Sequence, residues 1–170
     1  MSNEVALPQK TPRGKAAIIA LTIPLLVSFE GFRSVAVHER IDPPGVYTVC
    51  FGRTNYDDAR IVPGIKFNKA ECERFLSADL AEKYQPEVDR CIHVALPPHR
   101  GAAVLDFTYN LGGAALCKSS VARKLNAGDV RGGCDAMLLY NRVNGRVCDD
   151  AHCGLGRRRR AERALCLMDD

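Results

Sequence analysis

From Ala16 to Phe29 the chain carries no charge, and Glu30 closes this apolar run. Arg13 and Lys15 precede it, and a basic start before a short apolar core is the pattern of an export signal. The run is shorter than the roughly 20 residues of a comfortable transmembrane helix, and no small-x-small cleavage site separates it from Glu30. Three readings compete: a cleaved signal, an uncleaved weak anchor, and the first buried helix of a fold. Beyond it, Val46 to Phe51 is β-branched and aromatic between Gly45 and Gly52, which predicts a strand in a small hairpin sheet. Residues 55–67, with Pro63-Gly64, are turn-rich and have room for another short strand. Asn68-Lys69-Ala70-Glu71 is a helix-start signature, and Cys72, Phe75, Leu76 and Leu80 share one face of a helix expected to reach Tyr84.

Pro97-Pro98 marks the next boundary. His99 to Leu111 is apolar nearly all round and predicts a central buried helix, ended by Gly112-Gly113. Further helices are expected from Ser119 to Asn126, from Asp129 through Cys134 to Tyr140, and from Arg157 to Met168. Asn144-Gly145 is a turn signal, and no internal repeat or linker interrupts the order. The fold class is therefore α+β, a small β-sheet lobe and a larger all-helical lobe with a cleft between them. Residues 1–15 read as a basic, polar tail and 16–170 as one domain, with 16–29 as its first helix.

Composition narrows the partners. With 46% hydrophobic and 26% charged residues the chain is globular, and its net charge of +4 suits an anionic polymer or surface. No tryptophan occurs and aromatics are 6%, so a stacking platform for nucleic acid is not supported, and a monomer is expected. The run Arg157 to Arg160 reads as a solvated cationic helix face.

Eight dispersed cysteines, Cys50, Cys72, Cys91, Cys117, Cys134, Cys148, Cys153 and Cys166, favour disulfides and an oxidising compartment. Cys148, His152 and Cys153, with Cys134, resemble a partial zinc set, but no CxxC pair accompanies them. A small loop closed by Cys148 and Cys153 is the simpler account, and no metal or cofactor is implied. The other pairings stay open at this point.

Glu30 stands against apolar neighbours, whereas Asp42 lies in the polar turn Asp42-Pro43-Pro44-Gly45, with Thr48 six residues beyond it. Two carboxyl groups in contrasting environments are what glycosidic bond hydrolysis needs, one protonated to donate and one ionised to help a water.

Several segments together resemble the phage-type lysozymes, the endolysin muramidases of glycoside hydrolase family 24. Glu30-Gly31 after an apolar helix, Asp42 to Thr48, and Val49-Cys50-Phe51-Gly52 are similar to their active-site segment. Lys69-Ala70-Glu71-Cys72 resembles the opening of their interlobe helix, Phe107 to Gly112 their core helix, and Asn126-Ala127-Gly128-Asp129 a family turn. Asn144-Gly145-Arg146, Gly154-Leu155, Arg158-Arg159 and Glu162 to Cys166 complete the order, so the resemblance runs from about residue 21 to the end. Cysteine-rich members often carry an N-terminal signal-arrest-release segment, which residues 16–29 resemble.

The resemblance implies a muramidase that cuts peptidoglycan between N-acetylmuramic acid and N-acetylglucosamine. Glu30 would be the general acid, Asp42 and Thr48 would position water on the opposite face of the sugar, and Arg158 would pair with Glu30. Carboxyl groups roughly 6.5–9.5 Å apart and inversion follow from that arrangement. Position along the family pattern also implies the pairs Cys50–Cys72, Cys91–Cys117 and Cys134–Cys166, and export to the host periplasm with transient inner-membrane contact through 16–29.

Two departures stand out. Asp42 falls three positions later than the family's spacing, which Glu39 occupies, so Glu39 rivals Asp42 as second carboxylate. The Pro-Gly turn and the interval to Thr48 favour Asp42. Arg53 stands where better-known relatives have a histidine, so a supporting His–Asp ion pair is expected to be absent. A lytic transglycosylase, which uses one acid and no water-positioning aspartate, and a membrane-active non-enzymatic lysis protein are the alternatives.

Overall fold

A computed structural model describes residues 12–39, 43–143, 145–148 and 154–169. It divides into two compact units, Ile23–Asp79 on one side and Met1–Thr22 with Leu80–Asp170 on the other. The apolar run forms α1 (Pro12–Glu30), with Pro24 inside it. Among the described residues no helix is long and apolar enough to cross a membrane.

In the Ile23–Asp79 unit, β1 (Arg33–Val37), β2 (Thr48–Cys50) and β3 (Arg53–Thr54) form an antiparallel sheet in that order. The strand expected over 46–51 is trimmed to three residues. Cys50 has φ 62° and Gly52 φ 93°, and this left-handed backbone turns the chain out of extended geometry. For a cysteine that conformation costs on the order of 1 kcal/mol. The turn-rich stretch 55–67 holds an isolated bridge, Val35 to Lys66, and lies beside β1 through Ala36 N–H to Ile65 O at 2.9 Å. Buried Leu26, Val46, Val49, Phe51, Ile61 and Leu76 form this unit's core.

α2 (Lys69–Asp79) begins with a reciprocal cap. Glu71 N–H donates to Asn68 Oδ1 at 2.9 Å, and Asn68 N–H donates to Glu71 Oε2 at 2.7 Å. The Cys50–Cys72 disulfide ties β2 to α2. Arg53 makes an ion pair of a different kind. The histidine is gone but an ion pair is made all the same, because the longer guanidinium reaches Asp79 Oδ2 at 2.5 Å and lies over the Phe75 ring. Asp58 is paired with Arg60 nearby, and hydrogen bonds from the Arg60 side chain and backbone lower its pKa to about 2.

Helical backbone does not stop at Tyr84. A π-helical turn spans Leu80–Tyr84, and α3 (Gln85–Cys91) continues from it. Pro86 at the start of α3 lacks an N–H and its ring crowds the preceding turn, which accounts for the local loosening.

The second unit contains α4 (Pro98–Leu111), α5 (Gly113–Lys118), α6 (Ser120–Asn126) and α7 (Val130–Ala136). A 3-10 turn, Met137–Leu139, then leads to the strands β4 (Arg142–Val143) and β5 (Arg146–Val147), and α8 (Gly154–Cys166) follows. The hairpin β4–β5 means that this unit is not all-helical; Gly145, at φ 78°, supplies its turn. Asp129 accepts from Gly132 N–H, the cap that its position in the sequence predicts, and Ser119 likewise accepts from Ala122 N–H at the start of α6. α4 is the core element, with Gly101 to Thr108 all buried. At Gly101 an added Cβ would meet Ile18 Cδ1 at 2.6 Å, so the glycine permits α1 to approach α4. Cys91–Cys117 and Cys134–Cys166 are disulfides, the pairs that position along the family pattern implied. Cys148 is disulfide-bonded as well, while Cys153, its expected partner, lies outside the described residues.

Candidate functional site

Glu30 is the last residue of α1, and Gly31 with φ 71° ends the helix and redirects the chain toward β1. The Glu30 side chain is therefore presented at a helix end, half-buried, instead of along a packed helix face. Thr48 opens β2, paired with Val37 on β1 and Thr54 on β3, and is 9% exposed. Asn55 fixes the approach to Thr48, accepting from Tyr47 N–H at 2.9 Å and donating to Gly45 O at 3.1 Å. No sequence signal singled out Asn55, since a lone asparagine after a short strand is common.

Glu30 and Thr48 line the same cavity, of about 360 Å³, together with Arg33, Glu39 and Thr54. Backbone-rich Cys50 and Gly52 complete the wall. Arg33 Nε is 2.8 Å from Glu39 Oε1. The lining thus offers a carboxyl group, hydroxyls and an ion pair, a surface suited to a hydroxyl- and amide-bearing ligand. Asp42, the preferred second carboxylate, lies outside the described residues, and so do Arg40 and Ile41. Glu39 shares the cavity with Glu30 and Thr48. Its spacing from Glu30 was the signal in the sequence; Arg33 carried none beyond following Phe32.

Arg158 belongs to the other unit, where α8 packs on α4. Its Nε and Nη2 donate to the two Asp106 carboxylate oxygens at 2.9 and 3.0 Å, and Glu162 Oε1 lies 3.4 Å from Nε. Arg159 beside it is fully buried. It donates to both Glu162 oxygens at 2.5 and 2.7 Å, to Tyr140 O and to Asn110 Oδ1, and it lies over the Phe107 ring. The run Arg157 to Arg160 is accordingly not a solvated face. Arg157 and Arg160 are exposed, but Arg158, Arg159 and Glu162 fall on the stripe of α8 that meets α4, where Asp106 supplies the opposite charge. Burial pushes the Glu162 carboxyl up to about 8, with the Asp106 charge adding to the rise and the Arg159 guanidinium opposing it.

A sequence model of the phage lysozyme family matches residues 27–162. The SAR-endolysin of Bacteriophage PS119 is 32% identical over 154 residues, which are 91% of this chain and 87% of that protein. The SAR-endolysin of Escherichia phage Mu is 33% identical across 74% of this chain and 77% of its own. Among solved structures, the endolysin from Escherichia coli O157:H7 phage FAHEc1 superposes with TM-score 0.69 at 29% identity, covering 95% of both chains. The muramidase domain of SpmX from Asticaccaulis excentricus gives TM-score 0.73 at 25% identity, covering 95% of this chain and 99% of that one.

Proposed function

Because the chain belongs to the phage lysozyme family and is an enzyme of the lysozyme type, we propose that it hydrolyses the β-1,4 bond between N-acetylmuramic acid and N-acetylglucosamine in peptidoglycan. As an endolysin it would thereby lyse the bacterial host.

The observation that carries this reading is the common cavity of Glu30 and Thr48. Glu30 acts as general acid and gives its proton to the glycosidic oxygen as the bond from that oxygen to the anomeric carbon breaks. Asp42 and Thr48 hold a water on the opposite face of the ring. The water oxygen bonds to the anomeric carbon, Asp42 takes the released proton, and the configuration inverts.

Cavity residence of Glu39 favours one variant, in which Glu39 and not Asp42 serves as the second carboxylate. If neither acts on water, the same acid supports transglycosylase chemistry, with an anhydro-sugar end in place of a reducing end. Digestion of purified peptidoglycan tests both points. Reducing ends are expected from the native protein, and Glu30→Gln should remove nearly all activity with the fold intact. A folded Glu30→Gln variant within a few-fold of native activity overturns the assignment, and anhydro ends overturn hydrolysis.

With relatives named SAR-endolysins, the protein is further proposed to be exported without cleavage to the periplasm, residues 16–29 holding it briefly at the inner membrane. Once released, that segment packs as the first helix of the fold.

A further inference from the structure

The hairpin β4–β5 leaves every side chain of both its strands exposed. In its register Arg142 lies opposite Val147 and Val143 opposite Arg146, so each face of the ribbon carries one arginine and one valine. Val143 and Val147 are 49% and 51% exposed, and Leu139, in the 3-10 turn that leads in, is 69% exposed. Arg157 is exposed on the first turn of α8, which packs against that same 3-10 turn. Among the described residues 138–161 every exposed charge is an arginine; Asp149 and Asp150 fall outside the described residues. The base of the ribbon is fixed, because Cys148 N–H donates to Asn141 O at 2.8 Å and Cys148 is disulfide-bonded. At the tip, Arg142 Nη1 donates to Gly145 O at 3.1 Å.

Single apolar side chains at a surface are ordinary, but here Leu139, Val143 and Val147 alternate with arginines along one short stretch. Contact with carboxylates in water would use the guanidinium groups and give the valines nothing to enter. A stable protein interface needs about 800 Å² from each partner, more than three side chains offer. The boundary between lipid headgroups and acyl chains suits both kinds of residue at once. Apolar tips enter it, and arginine stems lie within it while their heads stay with phosphate through charge-assisted hydrogen bonds. We propose that this hairpin docks the folded enzyme on an anionic phospholipid surface. Val143, Val147 and Leu139 enter the headgroup boundary, and Arg142, Arg146 and Arg157 pair with lipid phosphates. The contact belongs to the folded protein and is separate from any passage of residues 16–29 through the membrane.

Co-sedimentation of the full-length, disulfide-intact protein with lipid vesicles tests it. Vesicles of phosphatidylcholine alone are compared with vesicles of equal parts phosphatidylcholine and phosphatidylglycerol. The native protein should bind the anionic vesicles about 10-fold or more tightly, and added salt should weaken that binding. Arg142→Gln with Arg146→Gln should lower the partition coefficient by about 10-fold or more, at about fivefold per arginine near an anionic surface. Val143→Thr with Val147→Thr keeps shape and strand preference and should lower it about 3-fold or more, since a hydroxyl replaces a methyl group at the boundary. Thermal unfolding should match the native protein in both, the four positions being exposed, and either double variant decides if the other fails to fold. Anionic binding that survives the substitutions overturns the proposal and makes residues 16–29 the lipid contact. It is overturned as well if the native protein shows no preference for anionic vesicles, or if only the arginine variant loses binding, which makes the attraction purely electrostatic. Pelleting with purified peptidoglycan is the counter-test: a loss there with vesicle binding intact assigns the hairpin to the wall and overturns lipid docking.

Discussion

Glu30, Asp42 and Glu39 are assigned different tasks in the proposed reaction, and each can be removed singly. Asp42→Ala should lower kcat by about 10² to 10⁴-fold, the usual range for an acid–base group. Glu39→Ala should leave kcat within a few-fold if Asp42 is the second carboxylate. Steady-state kinetics on purified peptidoglycan separates them, and the reverse ranking would make Glu39 the water-activating carboxylate. Asp58 stands outside this chemistry and reports on the sheet unit. Its folded pKa, about 2, is below its ordinary 3.8, so its contribution is fully present above about pH 4 and is lost as pH falls toward 2. Arg60 is 76% exposed, which keeps the effect small. Urea midpoints measured from pH 5 to pH 2 should fall less steeply in Asp58→Asn than in the native protein.

Elements whose signals are local were legible before any coordinates. The Asn68–Glu71 cap is a contiguous motif, and each half should be worth about 1 kcal/mol, so Asn68→Ala and Glu71→Ala should each lower stability by that much in chemical denaturation. The cap at Asp129 and the burial of α4 followed from the same short-range chemistry. What escaped was decided by distant neighbours. Nothing within α8 tells that Arg159 is enclosed, because its partners Asn110 and Phe107 sit about fifty residues away on α4. Removing that guanidinium leaves buried polar groups unanswered, so Arg159→Met should cost about 3–5 kcal/mol, read from urea unfolding. β4 and β5 are two residues each, too short for alternation to show. The Glu30 helix end and Thr48 strand start were readable; their meeting in one cavity was visible only through the family resemblance. Arg33 and Asn55 were not readable, since their roles come from register and loop closure.

At the scale of the whole molecule, disulfides and export make one argument. Cys134–Cys166 closes a loop of 32 residues from α7 to the end of α8, and Cys134→Ala with Cys166→Ala should cost about 3–4 kcal/mol in thermal or urea unfolding. Thiol titration of native protein from the periplasm should find none reactive. Mass spectrometry of that material should show the chain uncut before Glu30; a mature chain starting after Phe29 would contradict the proposed route.

The contact that seats α1 also sets a clock. Thr22 Oγ1 lies within 3.5 Å of Ala102 O, 80 residues later in the chain, and Ile18 rests on Gly101. At roughly 5–20 residues per second a ribosome needs on the order of ten seconds to make that partner. For that interval the N-terminal half of the uncharged segment lacks its α4 partners Gly101 and Ala102. Under the proposed export route, commitment to the membrane becomes a race against elongation. Slowing translation between residues 30 and 100 with synonymous rare codons should raise the exported fraction without changing a single side chain, and speeding it should strand more protein in the cytoplasm.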